Sequence, residues 1–112
     1  MNNNKDILTD ENNGISSLQV EQAIKELSKL IVKSGDEQFV YDFFVCLFTQ
    51  PELKDIANRW FLVKEIDSGA TQREIAKKYR MSLCKITRGS KELSKSDSAF
   101  RKMLELLKDN SN

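Results

Sequence analysis

Asp36 to Phe48 reads as a helix with almost no polar side. Phe39, Val40, Phe43, Phe44, Leu47 and Phe48 recur around it, with Val45 and Cys46 between them. A helix apolar on nearly all sides must be buried on nearly all sides. The chain has 112 residues, and a domain of that size buries only about two-thirds of its unfolded surface. Two arrangements satisfy the constraint. One is a central core helix in a monomer. The other, favoured by the small mass of the chain, is an extensive interface in which helices of two subunits interpack.

The rest of the chain also points to helices. Glycine and proline are scarce, with four and one, and no alternating apolar pattern persists, which favours an all-α fold. Residues 1–14 are rich in Asn and Asp and are expected to form a disordered arm. Residues 15–112 are expected to form a single helical domain. Ser16 or Ser17 caps a helix to about Val32, with Val20, Ile24, Leu27 and Ile31 as its stripe. Ser34-Gly35 stops it. Thr49-Gln-Pro-Glu52 is a capping box with Pro51 in the first turn. The helix it opens carries Leu53, Ile56, Ala57, Trp60, Phe61 and Val63, and closes at Ser68-Gly69. Ser94 to Ser98 is a polar break. Phe100, Met103, Leu104 and Leu107 then mark a last amphipathic helix, with residues from Asp109 onward fraying. Six helices result.

Between Gly69 and Ser94 lies a helix pair, about residues 71–93. Thr71 and Glu74 make a second capping box. Ile75, Ala76 and Tyr79 give the first short helix an apolar face, and the small Ala76 suits a steep crossing. Arg80-Met81 makes the turn and Ser82 caps the next helix. Leu83, Ile86 and Leu93 hold that helix down, while Cys84, Lys85, Thr87, Arg88 and Lys91 offer it polar and basic groups. This is the plan of a helix-turn-helix DNA reader. Arg80 stands where such turns usually carry glycine, and a left-handed backbone costs a non-glycine residue about 1–2 kcal/mol.

Net charge is only +1, but its distribution is uneven. Thr71 to Lys102 holds ten basic and three acidic side chains, a balance of +7 that leaves −6 elsewhere. A basic module on an acidic body is the footprint of a nucleic-acid binder. No run of about 20 apolar residues exists to span a membrane. The polar N-terminus is unlike a secretory signal, so a cytoplasmic protein is expected. Cys46 and Cys84 lack a pairing rhythm and are expected as two reduced thiols, with a redox-sensing Cys84 as the alternative. With no histidine, no metal site or other cofactor is expected. Catalysis is not expected either: there is no Gly-rich phosphate loop and no cysteine with a base partner.

Thr49-Gln-Pro-Glu52, Gln72-Arg-Glu74 and above all Ile86-Thr-Arg-Gly-Ser90 resemble the bacterial tryptophan repressor family over Thr49 to Leu93. The resemblance implies a six-helix intertwined homodimer whose two helix-turn-helix heads enter successive major grooves of a palindromic operator. It implies L-tryptophan as a corepressor that sets the angle of the heads. Carried over residue by residue, Thr49 would help hold the ligand carboxylate, and Arg59 and Arg88 would sandwich the indole ring, a cation–π contact worth at least about 0.5–1 kcal/mol. Arg88 would also offer the carboxylate a charged donor, and Gly89 would let the backbone lie close to the ligand. Glu92 stands where the family usually has a serine near the ligand's ammonium. It either pairs with that ammonium or pairs with Arg88 one turn earlier and withdraws it.

Arg73 can reach a guanine edge or a phosphate. Ser82, Leu83, Cys84, Lys85 and Thr87 form the leading part of the recognition helix and should face base edges. Leu83 and Cys84 offer only apolar contact, so water or DNA shape must supply part of the specificity. Lys77, Lys78 and Lys91 serve phosphates in this reading. Three functions remain open: a tryptophan-activated repressor of tryptophan-metabolism genes, a helix-turn-helix regulator with another ligand or none, and a helical dimerisation or adaptor module.

Overall fold

A computed structural model describes residues 14–110. The expected N-terminal arm therefore lies outside the described residues except for Gly14. Six α-helices and no strand occur among the described residues: α1 Ser17–Ser34, α2 Glu37–Leu47, α3 Gln50–Asp67, α4 Gln72–Tyr79, α5 Leu83–Leu93 and α6 Ala99–Asn110. The last helix runs through Asn110, past the point at which fraying was expected.

Side-chain caps set most of these boundaries. Ser16, Thr49 and Thr71 each accept the amide three residues on, and the side chains of Gln19, Glu52 and Glu74 reach back to the cap amides at 2.8 Å. Each box satisfies two of the donors that a helix N-terminus leaves unpaired. Asp36 accepts the Gln38 amide at 3.0 Å before α2, Ser82 accepts the Lys85 amide at 3.3 Å before α5, and Ser98 accepts the Phe100 amide at 3.1 Å before α6. Gly35 closes α1 in the left-handed region. Arg80 closes α4 in the same region, with φ 54° and ψ 42°. The turn thus keeps its usual backbone despite the bulky residue.

Contacts group the chain into two compact units, one through Leu47 and one from Phe48. In the first, α1 and α2 pack on one another, yet neither has a buried residue. Leu27, Ile31, Val40 and Phe43 are half-buried, while Val20, Ile24, Val32, Phe39, Tyr41, Val45 and Leu47 are exposed. Part of the α1 stripe, Leu27 and Ile31, faces inward as its spacing predicted; Val20 and Ile24 do not.

The second unit has two joined cores. Leu62 of α3, Ile75 of α4 and Ile86 of α5 form one, flanked by Ile66, Ala70, Ala76, Tyr79 and Met81. Val63 of α3, Leu93 of α5 and Leu104 of α6 form the other, flanked by Trp60, Ile66 and Phe100. Ile66 serves both. The helix pair α4–α5 is thus fastened to α3 by Ile75 of its first helix and by Ile86 and Leu93 of its second. Arg101 donates to the Leu93 carbonyl at 2.7 Å, so α6 satisfies a carbonyl at the end of α5.

Candidate ligand groove and nucleic-acid interface

A groove of about 790 Å³ lies between α3, the α4–α5 turn, α5 and the start of α6. Its volume is within the range of small-molecule sites, roughly 300–1,000 Å³. Arg59 enters it from α3, and Arg88, Gly89 and Glu92 enter from α5. Four of the five expected ligand residues therefore share one concavity. Thr49 is not among its lining residues. It is the N-cap of α3, and its hydroxyl oxygen accepts the Glu52 amide at 3.3 Å.

The groove also holds residues outside the expected ligand set. Asp55 and Asn58 line it one turn or less from Arg59 on α3, and Arg80, Met81, Ala99 and Phe100 line it from the turn and from α6. The position of Asp55, four residues before Arg59 on one helix face, was the signal available in the sequence. Lys85 and Ser82 line the groove as well, so it extends to the leading turn of α5. Four cationic side chains, Arg59, Arg80, Lys85 and Arg88, face two anionic ones, Asp55 and Glu92. A ligand with an anionic group suits that balance.

Two ambiguous residues acquire definite surroundings. Glu92 takes Lys95 as its salt-bridge partner, at 3.1 Å; Arg88 makes no salt bridge among the described residues. Gly89 sits at the crossing of α3 and α5. A Cβ there would lie 2.8 Å from Leu62 Cδ2, so close helix packing alone accounts for a glycine at this position.

The expected DNA-facing residues Arg73, Lys77, Lys78, Ser82, Leu83, Cys84, Lys85, Thr87 and Lys91 are all exposed. Leu83 is 59% exposed, although the sequence suggested it would help hold α5 down. That task falls to Ile86 and Leu93, which are buried. Lys78 is already engaged: its ammonium meets the Glu65 carboxylate at 2.8 Å. Tyr79 Oη donates to the same oxygen at 2.6 Å. These contacts hold the Glu65 carboxyl below its usual range, Lys78 first and Tyr79 next, and raise the Tyr79 hydroxyl and the Lys78 ammonium above theirs. Both cysteines are free thiols on the surface. Among the described residues no cluster of acidic or cysteine side chains is arranged to hold a metal, and no helix is long and apolar enough to cross a membrane.

An exposed basic helix pair, mounted on a long helix and backed by a charged groove, defines a helix-turn-helix DNA-binding protein. Comparison with known proteins makes the class specific. The family model for the Trp repressor protein matches residues 22–108. A Trp operon repressor homologue of Chlamydia trachomatis serovar L2 is 38% identical over 88 residues, covering 78% of this chain and 94% of the relative. A homologue of the same name from Chlamydia caviae is 40% identical over 70% of this chain and 79% of the relative. One from Xylella fastidiosa is 32% identical over 65% and 80%. No solved structure gives a significant match. The chain belongs to the Trp repressor family, whose members are DNA-binding transcriptional repressors rather than enzymes.

Proposed function

We propose that this protein is a homodimeric repressor that binds a palindromic operator of tryptophan-metabolism genes when L-tryptophan occupies the groove. The observation that carries the reading is that Arg59 of α3 and Arg88 of the recognition helix line one groove. A ligand held by both bridges the body and the reading head, and so restricts the angle between them. Arg guanidinium planes favour an aromatic face, and the net positive lining favours a carboxylate. Glu92 remains a groove residue although Lys95 shares its charge, and it takes the ammonium in this reading. Gly89 keeps the α5 backbone close to α3 beside the ligand.

Thr49 supports the dimer. It lies ten positions before Arg59 on α3, about 15 Å along the helix at 1.5 Å per residue. Thr49 is also not among the groove's lining residues in its own chain. A second copy of the chain, interpacked through α1 and α2, brings its own Thr49 to the groove. The hydroxyl oxygen caps α3, while its hydrogen is available to a carboxylate.

On the DNA side, Ser82, Leu83, Cys84, Lys85 and Thr87 face base edges. Arg73, Lys77 and Lys91 serve phosphates or a guanine edge, and Lys78, tied to Glu65, adds field more than contact. Isothermal titration with L-tryptophan, paired with electrophoretic shifts on the promoter of the chain's own operon, tests the proposal. Heat on titration and an operator affinity that rises with tryptophan are expected. Operator binding without any response to tryptophan would sink the corepressor assignment and leave a regulator with another ligand or none. Binding that does not weaken with salt would favour the adaptor reading, since phosphate contacts release counterions.

A further inference from the structure

Helix α3 contributes to two separate surface features. Asp55, Arg59 and Leu62 line the groove, whereas Phe61, Lys64, Glu65 and Ser68 line a separate surface hollow together with Tyr79 of α4. At about 100° per residue, Phe61 points about 160° and Glu65 about 120° away from Arg59. Around that hollow the contacts are dense. The Glu65 carboxylate accepts from Lys78 Nζ at 2.8 Å and from Tyr79 Oη at 2.6 Å. The Tyr79 ring stacks on Phe61 with centroids 5.7 Å apart, and Lys64 lies over Phe61 at 5.2 Å. Tyr79 also packs on the core formed by Leu62, Ile75 and Ile86.

We propose that Glu65 is a positioning residue for DNA reading: it clamps α4, the first helix of the head, to α3 through Tyr79 and Lys78, outside the ligand groove. The inference rests on the reading that α4–α5 meets DNA. A head that must fit two successive grooves needs a fixed edge. The hydrophobic contacts of Ile75 and Ile86 resist separation but are not directional. The two hydrogen bonds on Glu65 are directional, and one of them is charge-assisted on both sides. With α4 fixed at this seam, a ligand pressed between α3 and α5 acts against a pivot instead of displacing the whole head.

Tyr79→Phe is the discriminating variant, because it keeps the ring on Phe61 and in the core and removes only the hydroxyl. Glu65→Gln is its companion. Each is titrated with duplex DNA from the chain's own promoter, with saturating L-tryptophan and without it, across a salt series. The expected loss of DNA affinity is about three- to tenfold, the size of one hydrogen bond. Tryptophan affinity of the DNA-free variants stays within about twofold of wild type, because neither Glu65 nor Tyr79 lines the groove. The slope of log affinity against log salt stays at the wild-type value for Tyr79→Phe, because no phosphate contact is removed. Amide exchange should quicken in α4 and not in α6. DNA affinities equal to wild type in both variants overturn the proposal, and so does an affinity loss accompanied by a shallower salt slope in Tyr79→Phe. A wild-type chain that cannot tell the promoter from random DNA overturns the reading of the head itself, a separate and recognisable result.

Discussion

Two single residues set opposing demands at the head. Arg80 holds φ 54° at the turn between α4 and α5. Replacing it by glycine relieves a left-handed strain of about 1–2 kcal/mol but adds chain entropy to the unfolded state, about 0.5–1 kcal/mol. Arg80→Gly should therefore raise stability to urea by roughly 0.5–1 kcal/mol. It also removes a cation from the groove, so tryptophan affinity measured by titration should fall or stay level, not rise. Gly89 is the reverse case. Its helical backbone suits any residue, but a methyl group would press on Leu62 Cδ2 at 2.8 Å. Gly89→Ala should cost about 1–3 kcal/mol as an overpacked contact, read as a lower urea midpoint without ligand. Normal ligand-free stability with lost tryptophan binding would instead assign Gly89 to the ligand alone. The sequence showed Arg80 as a glycine-like position and Gly89 as part of Thr-Arg-Gly-Ser, because both belong to local patterns. It did not show Leu62 as the partner of Gly89, since that contact depends on how two helices cross.

At the scale of elements, the caps were the most legible feature. Thr49 and Thr71 with Glu52 and Glu74 are local, and their bonds formed at the expected spacing. Thr71→Ala should cost about 1 kcal/mol and speed amide exchange in the first turn of α4. The seam between α3 and α4 was not legible. Glu65 and Tyr79 are 14 positions apart, and no motif links them. The seam has a pH signature whose signs differ at its two ends. Glu65 has a lowered folded pKa, so its contribution is present above the ordinary glutamate value and is lost as pH falls through the folded value. Tyr79 and Lys78 have raised folded pKa values. Their contribution is complete below the ordinary tyrosine and lysine values and is lost as pH rises through the folded ones. The stability difference between wild type and Tyr79→Phe should thus be flat from about pH 5 to 9 and shrink beyond both limits. A difference that already declines between pH 6 and 8, roughly the middle of that window, would mean that another group governs the seam.

For the whole molecule, the apolar helix α2 is the strongest argument for assembly. A helix from about residue 36 to 48, apolar on nearly all sides, must be covered. Yet α2 has no buried residue, and Phe39 and Tyr41 are 55% and 63% exposed. On α1, Leu18, Ile24 and Val32 are 62%, 57% and 81% exposed. Burying one such side chain contributes about 1.5–3 kcal/mol. Several together rival the entire stability of a domain, about 5–15 kcal/mol. A chain leaving them in water would forgo most of what holds a small protein folded and would present a large apolar surface. Covering them with a second copy links folding to association. The thermal midpoint should then climb as protein concentration is raised over two to three decades, because mass action favours the associated state. Sedimentation at the same concentrations should show a dimer wherever the chain is folded. Phe39→Asp places a charge in that apolar face and should give a monomer or unfolded chain, whereas Lys85→Ala on the reading head should lower DNA affinity and leave the concentration dependence intact. A midpoint indifferent to dilution, with Phe39→Asp as stable as wild type, would mean that α1 and α2 are covered from within one chain.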